Sequence, residues 1–185
     1  MNSSSSNDKS TQFPNHESNR LTQLKIYLER VGIAYTILVH EQNISTAQDG
    51  AQAGLGTLST MAPTFILQTE RGYLAAIIRG DTRLSYRKIK RKLGLKNISL
   101  AAPDQVKQLT GSKVGYVALV NPGLPTIVDT RVTEVTTIYG GSGEPKHTLR
   151  VSPQDVIMIT QAQVFDFTEF KDIISSHLPA ANANP

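Results

Sequence analysis

The chain contains no cysteine among its 185 residues. That absence excludes disulfides, thiolate metal sites and a cysteine nucleophile, and it fits a reducing compartment. No apolar run approaches the roughly 20 residues of a membrane span. The start, Met1-Asn2-Ser3-Ser4-Ser5-Ser6-Asn7, lacks the charged and then apolar segments of a secretory signal. A soluble cytoplasmic protein with no membrane partner is the expectation. The four histidines (His16, His40, His147, His177) have no metal-ligand spacing, so neither a metal nor another cofactor is expected. Internal repeats are missing too. The glycine-rich run near residue 141 is not a phosphate loop, since no Gly-Lys-Ser/Thr follows it. Nor is Ser142 in the Gly-x-Ser-x-Gly setting of a nucleophile elbow.

What is present reads as one domain between two tails. Residues 1–18 are Ser/Asn-rich and expected to be disordered, as are residues 179–185. Residues 19–178 form the single domain, long enough to bury a core. Leu21, Leu24, Leu28 and Val31 recur at helical spacing before Gly32. Ala34 to Val39 reads as a strand. Ser45 with Gln48 predicts a capping box for a short helix reaching about Gly54. Thr64–Thr69 and Tyr73–Arg79 predict a hairpin turning at Glu70-Arg71-Gly72. A helix over Tyr86–Leu93 buries Ile89 and Leu93, and Gly94 closes it. Ile98–Leu100 is a brief strand, and Pro103 opens a helix ending at Thr110-Gly111. His147–Val151 is a strand, a helix starts near Pro153, and Phe167, Phe170, Ile174 and Leu178 space a final one. The pattern is α+β: a mixed, partly closed sheet flanked by helices rather than a regular doubly wound fold.

Charge is unevenly placed. The net charge is +4, yet Arg79, Arg83, Arg87, Lys88, Lys90, Arg91, Lys92 and Lys96 crowd one stretch with only Asp81 to oppose them. Such a cluster is either a solvated face or a surface for the phosphates of a nucleic acid. Tyr86 is its sole aromatic, so stacking on several unpaired bases is not suggested.

The segment from Gly115 to Leu149 is the most informative. Three apolar runs, at 115–120, 126–129 and 135–139, are read as strands alternating with Asn121-Pro122-Gly123-Leu124-Pro125 and Gly140-Gly141-Ser142-Gly143-Glu144-Pro145. Glycine-built turns let bare backbone face a ligand. Gly140 to Gly143 serve either as a tight turn needing positive φ or as a nest of N–H groups. A nest would hold an ester carbonyl as it becomes an oxyanion, where a lost donor costs about 3 to 4 kcal/mol. Gly115, Tyr116, Val117, Asn121 and Gly123 are either an ordinary strand and loop or the opposite wall of a cleft. Asp129 either holds a turn or pairs with a basic residue.

Taken in order, several segments resemble the YbaK-like aminoacyl-tRNA deacylases, relatives of the editing domain inserted in bacterial prolyl-tRNA synthetases. They are Val39-His40, Gly80-Asp81-Thr82-Arg83-Leu84, Ala101-Ala102-Pro103-Asp104, Leu109-Thr110-Gly111, Val114-Gly115, Leu124 to Asp129 and Gly140 to Gly143. The likeness runs from about Leu21 to Thr160. It implies the YbaK/prolyl-tRNA synthetase-associated fold, a cleft for the aminoacyl-adenosine end of tRNA, and hydrolysis of the ester of a mischarged tRNA in trans. It also implies a role in translation fidelity and association with the translation machinery. On this resemblance Gly141, Ser142 and Gly143 position the ester and its oxyanion through their backbone. Substrate is bound by His40, Pro63, Thr64, Gly115, Tyr116, Val117, Asn121, Gly123, Asp129, Gly140 and His147. The tRNA is held by Arg79, Arg83, Arg87, Lys88 and Arg91.

Two positions depart from the family pattern. The lysine of the deacylase branch falls on Pro63, which supplies neither charge nor an N–H donor. The family's Gly-x-x-x-Pro loop would begin at Gly115 and end on Leu119. A mechanism built on that lysine needs another basic residue at the site, with Arg79 and Arg83 the candidates by position. The alternative reading is an inactive family member that binds tRNA or an aminoacyl-nucleotide without turnover. A small-molecule binder with no RNA role is a third.

Overall fold

The computed structural model describes residues 20–171. Both predicted tails lie outside the described residues, as do Ile174 and Leu178 of the predicted final helix. Helix α1 (Arg20–Arg30) buries Leu21, Leu24 and Leu28 as its spacing requires, and β1 (Tyr35–Val39) follows. Helix α2 (Ala47–Gln52) has a capping box, shifted one position from the predicted Ser45/Gln48 pair. The Thr46 hydroxyl accepts the Asp49 N–H, while the Asp49 carboxylate accepts the N–H groups of Ser45 and Thr46. A carboxylate at that place also meets the positive end of the helix, which glutamine does not.

Strands β2 (Thr64–Thr69) and β3 (Gly72–Ile77) form the expected antiparallel hairpin. After β4 (Thr82–Leu84), the basic helix α3 (Tyr86–Leu93) buries Ile89 and ends on left-handed Gly94. β5 (Ile98–Leu100) and α4 (Pro103–Thr110) come next, with Pro103 in the first turn. The run at 115–120 is not a strand. Its one regular link is an isolated bridge between Ala118 and Gly141. Val117, Ala118, Leu119 and Val120 are nonetheless buried, so the apolar run fills the core without joining a ladder.

β6 (Thr126–Asp129) is all buried. A 3-10 turn, Thr130–Glu134, delays β7 (Ile138–Gly141) relative to the predicted strand at 135–139. β8 (His147–Val151) and α5 (Pro153–Thr160) follow. β9 (Gln163–Phe165) comes next, and where the Phe167/Phe170 spacing predicts a helix the chain instead forms the short strand β10 (Thr168–Phe170). The cause is tertiary. Phe167 is fully buried, and its N–H donates to the buried Asp129 carboxylate at 2.8 Å.

The main sheet has the order β5-β2-β3-β6-β9, with β3-β6 and β6-β9 parallel. A second sheet, β1-β8-β7, is antiparallel, and β10 pairs with β4 alone. The sheets do not close into a barrel. They meet where Tyr139 bridges Met61: Ala62 N–H donates to the Tyr139 carbonyl at 2.8 Å and Tyr139 N–H to the Thr60 carbonyl at 2.9 Å. Leu24 and Leu28 of α1 pack between the sheets against Ile77, Leu119, Ile138 and Leu149. The far side of the main sheet is covered by Ile89 of α3 and by Phe167. This is a mixed α+β architecture, and the junction of its two sheets positions the cleft.

Candidate active site

At that junction lies a cavity of about 370 Å³. One wall is the entry to β2, Met61 through Ile66, and the start of α2 from Ser45 to Gln48 forms the rim. Leu100, Ala101 and Val106 supply an apolar end, and the opposite wall is built from Val114 to Val117, Tyr139 to Gly141, and Glu144, His147 and Thr148. That size and apolar lining, with few polar groups, suit a small organic ligand.

Two glycines make this wall possible. A Cβ on Gly141 would stand 2.0 Å from the Val117 carbonyl oxygen, and one on Gly140 would stand 2.5 Å from Leu119 Cγ. Backbone at 117–119 therefore lies directly against β7. Leu119, where the family loop has proline, is fully buried in the core, so it is an anchor behind the wall. Gly115 adopts φ +91° with Ser45 close by, which folds the wall over the rim.

The polar groups are few and pointed. Thr64 Oγ1 and His147 Nδ1 are buried without a hydrogen-bond partner, and both residues line the cavity. Buried polar atoms in that condition are uncommon and costly unless a ligand or solvent satisfies them. His40 Nε2 lies 3.0 Å from Thr148 Oγ1. Burial lowers the His40 pKa, and the nearby His147 lowers it further, which favours neutral imidazole beside the cleft. Behind the glycine-rich turn, burial lowers the Arg20 pKa while Glu144 raises it.

Of the residues expected at the site, Pro63, Thr64, Gly115, Tyr116, Val117, Gly140, Gly141 and His147 are brought together around the cavity. Others are not. Ser142 is fully buried and its hydroxyl donates to the His147 carbonyl at 2.9 Å. Gly143 N–H donates to the Tyr116 carbonyl at 3.0 Å. The expected nest of free N–H groups at 141–143 is thus partly closed by the fold's own hydrogen bonds, and neither Ser142 nor Gly143 lines the cavity. Asn121 is buried and donates to the Ala118 carbonyl at 2.6 Å, while Gly123 sits in the following turn at φ +87°. Asp129 is fully buried and accepts the N–H groups of Arg131 and Phe167. These three residues hold the fold. His40 opens into a separate depression with Glu41, Gln42 and Ala53, and its ring meets the cleft lining at Thr148.

The basic stretch also divides. Arg79 is paired with Asp81 and Glu134, Arg83 with Glu169, and Lys88 with Asp166 and the Thr168 carbonyl. Neither candidate for a replacement cation, Arg79 or Arg83, lines the cavity. Arg87 and Arg91 are exposed. Sequence reasoning missed Tyr139, Thr148, Glu144 and Lys171 in the lining. Tyr139 and Thr148 flank the predicted turn and carried some signal; Lys171 carried none. Among the described residues, no group of three or more metal-ligating side chains occurs, and no helix is long and apolar enough to cross a membrane.

Residues 41–159 match the family model of the aminoacyl-tRNA editing domain. The chain is 30% identical over 99 residues to the proline–tRNA ligase of Moorella thermoacetica, which spans 52% of this chain and 17% of that enzyme. It is 34% identical over 92 residues to that of Pelotomaculum thermopropionicum, spanning 49% of this chain and 16% of the ligase. The chain therefore matches about a sixth of the length of these ligases. In three dimensions it is similar to a candidate trans-editing enzyme for prolyl-tRNA synthetase, with a TM-score of 0.75 at 25% identity, covering 83% of this chain and 99% of that one. A crystal structure of a hypothetical protein gives a TM-score of 0.74 at 28% identity, covering 79% and 99%. The chain belongs to the aminoacyl-tRNA editing domain family.

Proposed function

We propose that this protein hydrolyses the ester of a mischarged tRNA in trans, admitting the aminoacyl-adenosine end to the cleft between the two sheets. The observation that carries the reading is the cavity itself: apolar walls of side-chain size, lined by Thr64 and His147, whose Oγ1 and Nδ1 atoms are buried without a hydrogen-bond partner. An editing-family fold that covers nearly all of a candidate trans-editing enzyme supports action as a separate domain.

Among the described residues, no activated side-chain nucleophile lines the cavity. Cysteine is absent, and the Ser142 hydroxyl is locked to a carbonyl. Water is then the attacking group, and positioning does most of the work. A hydroxyl of the terminal ribose can help orient that water, and the unpartnered Nδ1 of His147 offers it a hydrogen bond. Apolar walls would set which amino acid enters, since a missing methylene changes binding by only about 1–3 kcal/mol.

Incubation of the purified protein with a panel of mischarged tRNAs tests this. Deacylation above the spontaneous rate for at least one aminoacyl group is expected. Pro63, in the place of the family's lysine, favours a second reading: a module that binds tRNA without turnover. Salt-sensitive tRNA binding with no deacylation of any substrate would establish that reading instead.

A further inference from the structure

We infer that Lys171, delivered by strand β10, is the cation of the cleft and binds the phosphodiester on the 5′ side of the terminal adenosine. This inference rests on the reading of the cleft as an aminoacyl-adenosine site. Among the described residues that line the cavity, Lys171 is the one lysine or arginine. Its Nζ donates to the Gly80 carbonyl at 2.7 Å, which leaves two ammonium hydrogens with no partner among the described residues. Gly80 fixes where that ammonium stands. A Cβ on Gly80 would lie 2.8 Å from Ala47 Cβ and 2.9 Å from Met61 Cβ, and Ala47 and Met61 are both cavity walls. The charge is therefore held at the end of the cavity where α2 meets the entry to β2.

The basic stretch explains why Lys171 is there. β10 pairs with β4 through Thr168–Leu84, Glu169–Arg83 and Phe170–Thr82, and Lys171 N–H donates to the Asp81 carbonyl at 3.1 Å. The guanidinium groups of Arg79 and Arg131 lie 5.4 and 5.1 Å from the centre of the Phe170 ring. Lys88 binds Asp166, and Ser85 donates to Glu169. Arg79, Arg83 and Lys88, expected on phosphate from the sequence, instead dock the strand that carries Lys171 to the cleft.

The ligand's own charges choose the partner. An aminoacyl-adenosine end carries an α-ammonium at one extremity and a phosphodiester at the other. Lys171 repels the first and attracts the second, so the nucleotide lies toward Lys171. The amino acid then lies toward the wall with Glu144 and His147.

The test compares two non-hydrolysable probes: 3′-alanylamino-3′-deoxyadenosine, which lacks phosphate, and the CCA trinucleotide carrying the same 3′-alanylamide. Alanyl is chosen as the smallest chiral side chain. Lys171→Met is expected to weaken the trinucleotide about tenfold to a hundredfold, as for loss of a charged hydrogen bond, and to leave the nucleoside unchanged. Lys171→Arg should retain most of the trinucleotide affinity, and thermal melting of both variants checks that they fold. Equal weakening of both probes, or no weakening of either, overturns the assignment while the cleft reading survives. Wild-type protein that binds neither probe and deacylates no tRNA overturns the cleft reading as well.

Discussion

Gly141→Ala is the sharpest perturbation the site offers. The new Cβ would meet the Val117 carbonyl oxygen at 2.0 Å, far inside any real carbon–oxygen contact. That oxygen belongs to backbone, so no rotamer change relieves the clash. Either β7 or the 115–118 segment must move by an ångström or more, and both are fixed. Gly141 is paired with Thr148 across β8, its carbonyl accepts the Leu119 N–H at 2.9 Å, and Val117 packs with Ile66, Ala75 and Val106. Over-packing of a tight core costs about 1–3 kcal/mol, occasionally more. At about 3 kcal/mol, Tm falls by roughly 6–12 °C for a domain of this size. Because the displaced backbone is the cleft wall, kcat/KM for any deacylated tRNA should fall along with stability, even at temperatures where the variant remains folded. Urea denaturation and single-turnover deacylation measure the two separately. A variant with wild-type denaturation midpoint and wild-type kcat/KM would refute the close-approach reading of Gly141.

Two further predictions follow from charge. Arg87→Glu with Arg91→Glu should weaken tRNA binding and reduce the slope of log K against log salt by about 1 to 2, as expected for two lost phosphate contacts; an unchanged slope sinks the role of α3. His40 has a folded pKa below its ordinary value of about 6.5, so below that pH the unfolded chain binds more protons than the native one. Stability from this group is complete above about pH 6.5 and is lost as pH falls through the folded value. Urea midpoints at pH 7.5 and 5.5 should therefore drop more for the wild type than for His40→Gln, and equal drops would show that His40 is not the source.

Local signals in the sequence translated well into structure. α3 and α4 run from the residues where they were predicted to the glycines that end them, since apolar spacing, Pro103 and left-handed glycines act within one or two turns. The cleft walls at Gly115–Val117 and Gly140–Gly141 were legible because glycine marks close backbone approach. What failed was long-range. Nothing near Lys88 announces Asp166, 78 residues away, and nothing near Phe167 announces Asp129, 38 residues away. The same ignorance turned 115–120 into a strand and Phe167–Phe170 into the start of a helix. In both cases burial against distant elements overrode local pattern.

The docking of β10 also orders the forces that matter for the cleft. A two-stranded pair of three residues each is marginal by itself. Its own ion pair, Arg83–Glu169, has side chains 55% and 41% exposed, and Asp166, which holds Lys88 just before β10, is 53% exposed; such pairs contribute about 0.2–1 kcal/mol each. Phe167, fully buried, is a stronger anchor: Phe→Ala at such a position costs about 3–5 kcal/mol. Its backbone tie to the buried Asp129 carboxylate is shielded from solvent and is little affected by salt. The Lys171 position is thus set chiefly by apolar burial, with the surface charges trimming it. Salt that strips tRNA from Arg87 and Arg91 should leave Lys171 in place, and the Lys171 contribution to the trinucleotide probe should carry only the weak salt dependence of a single phosphate contact, a slope of about 0.7 to 0.9.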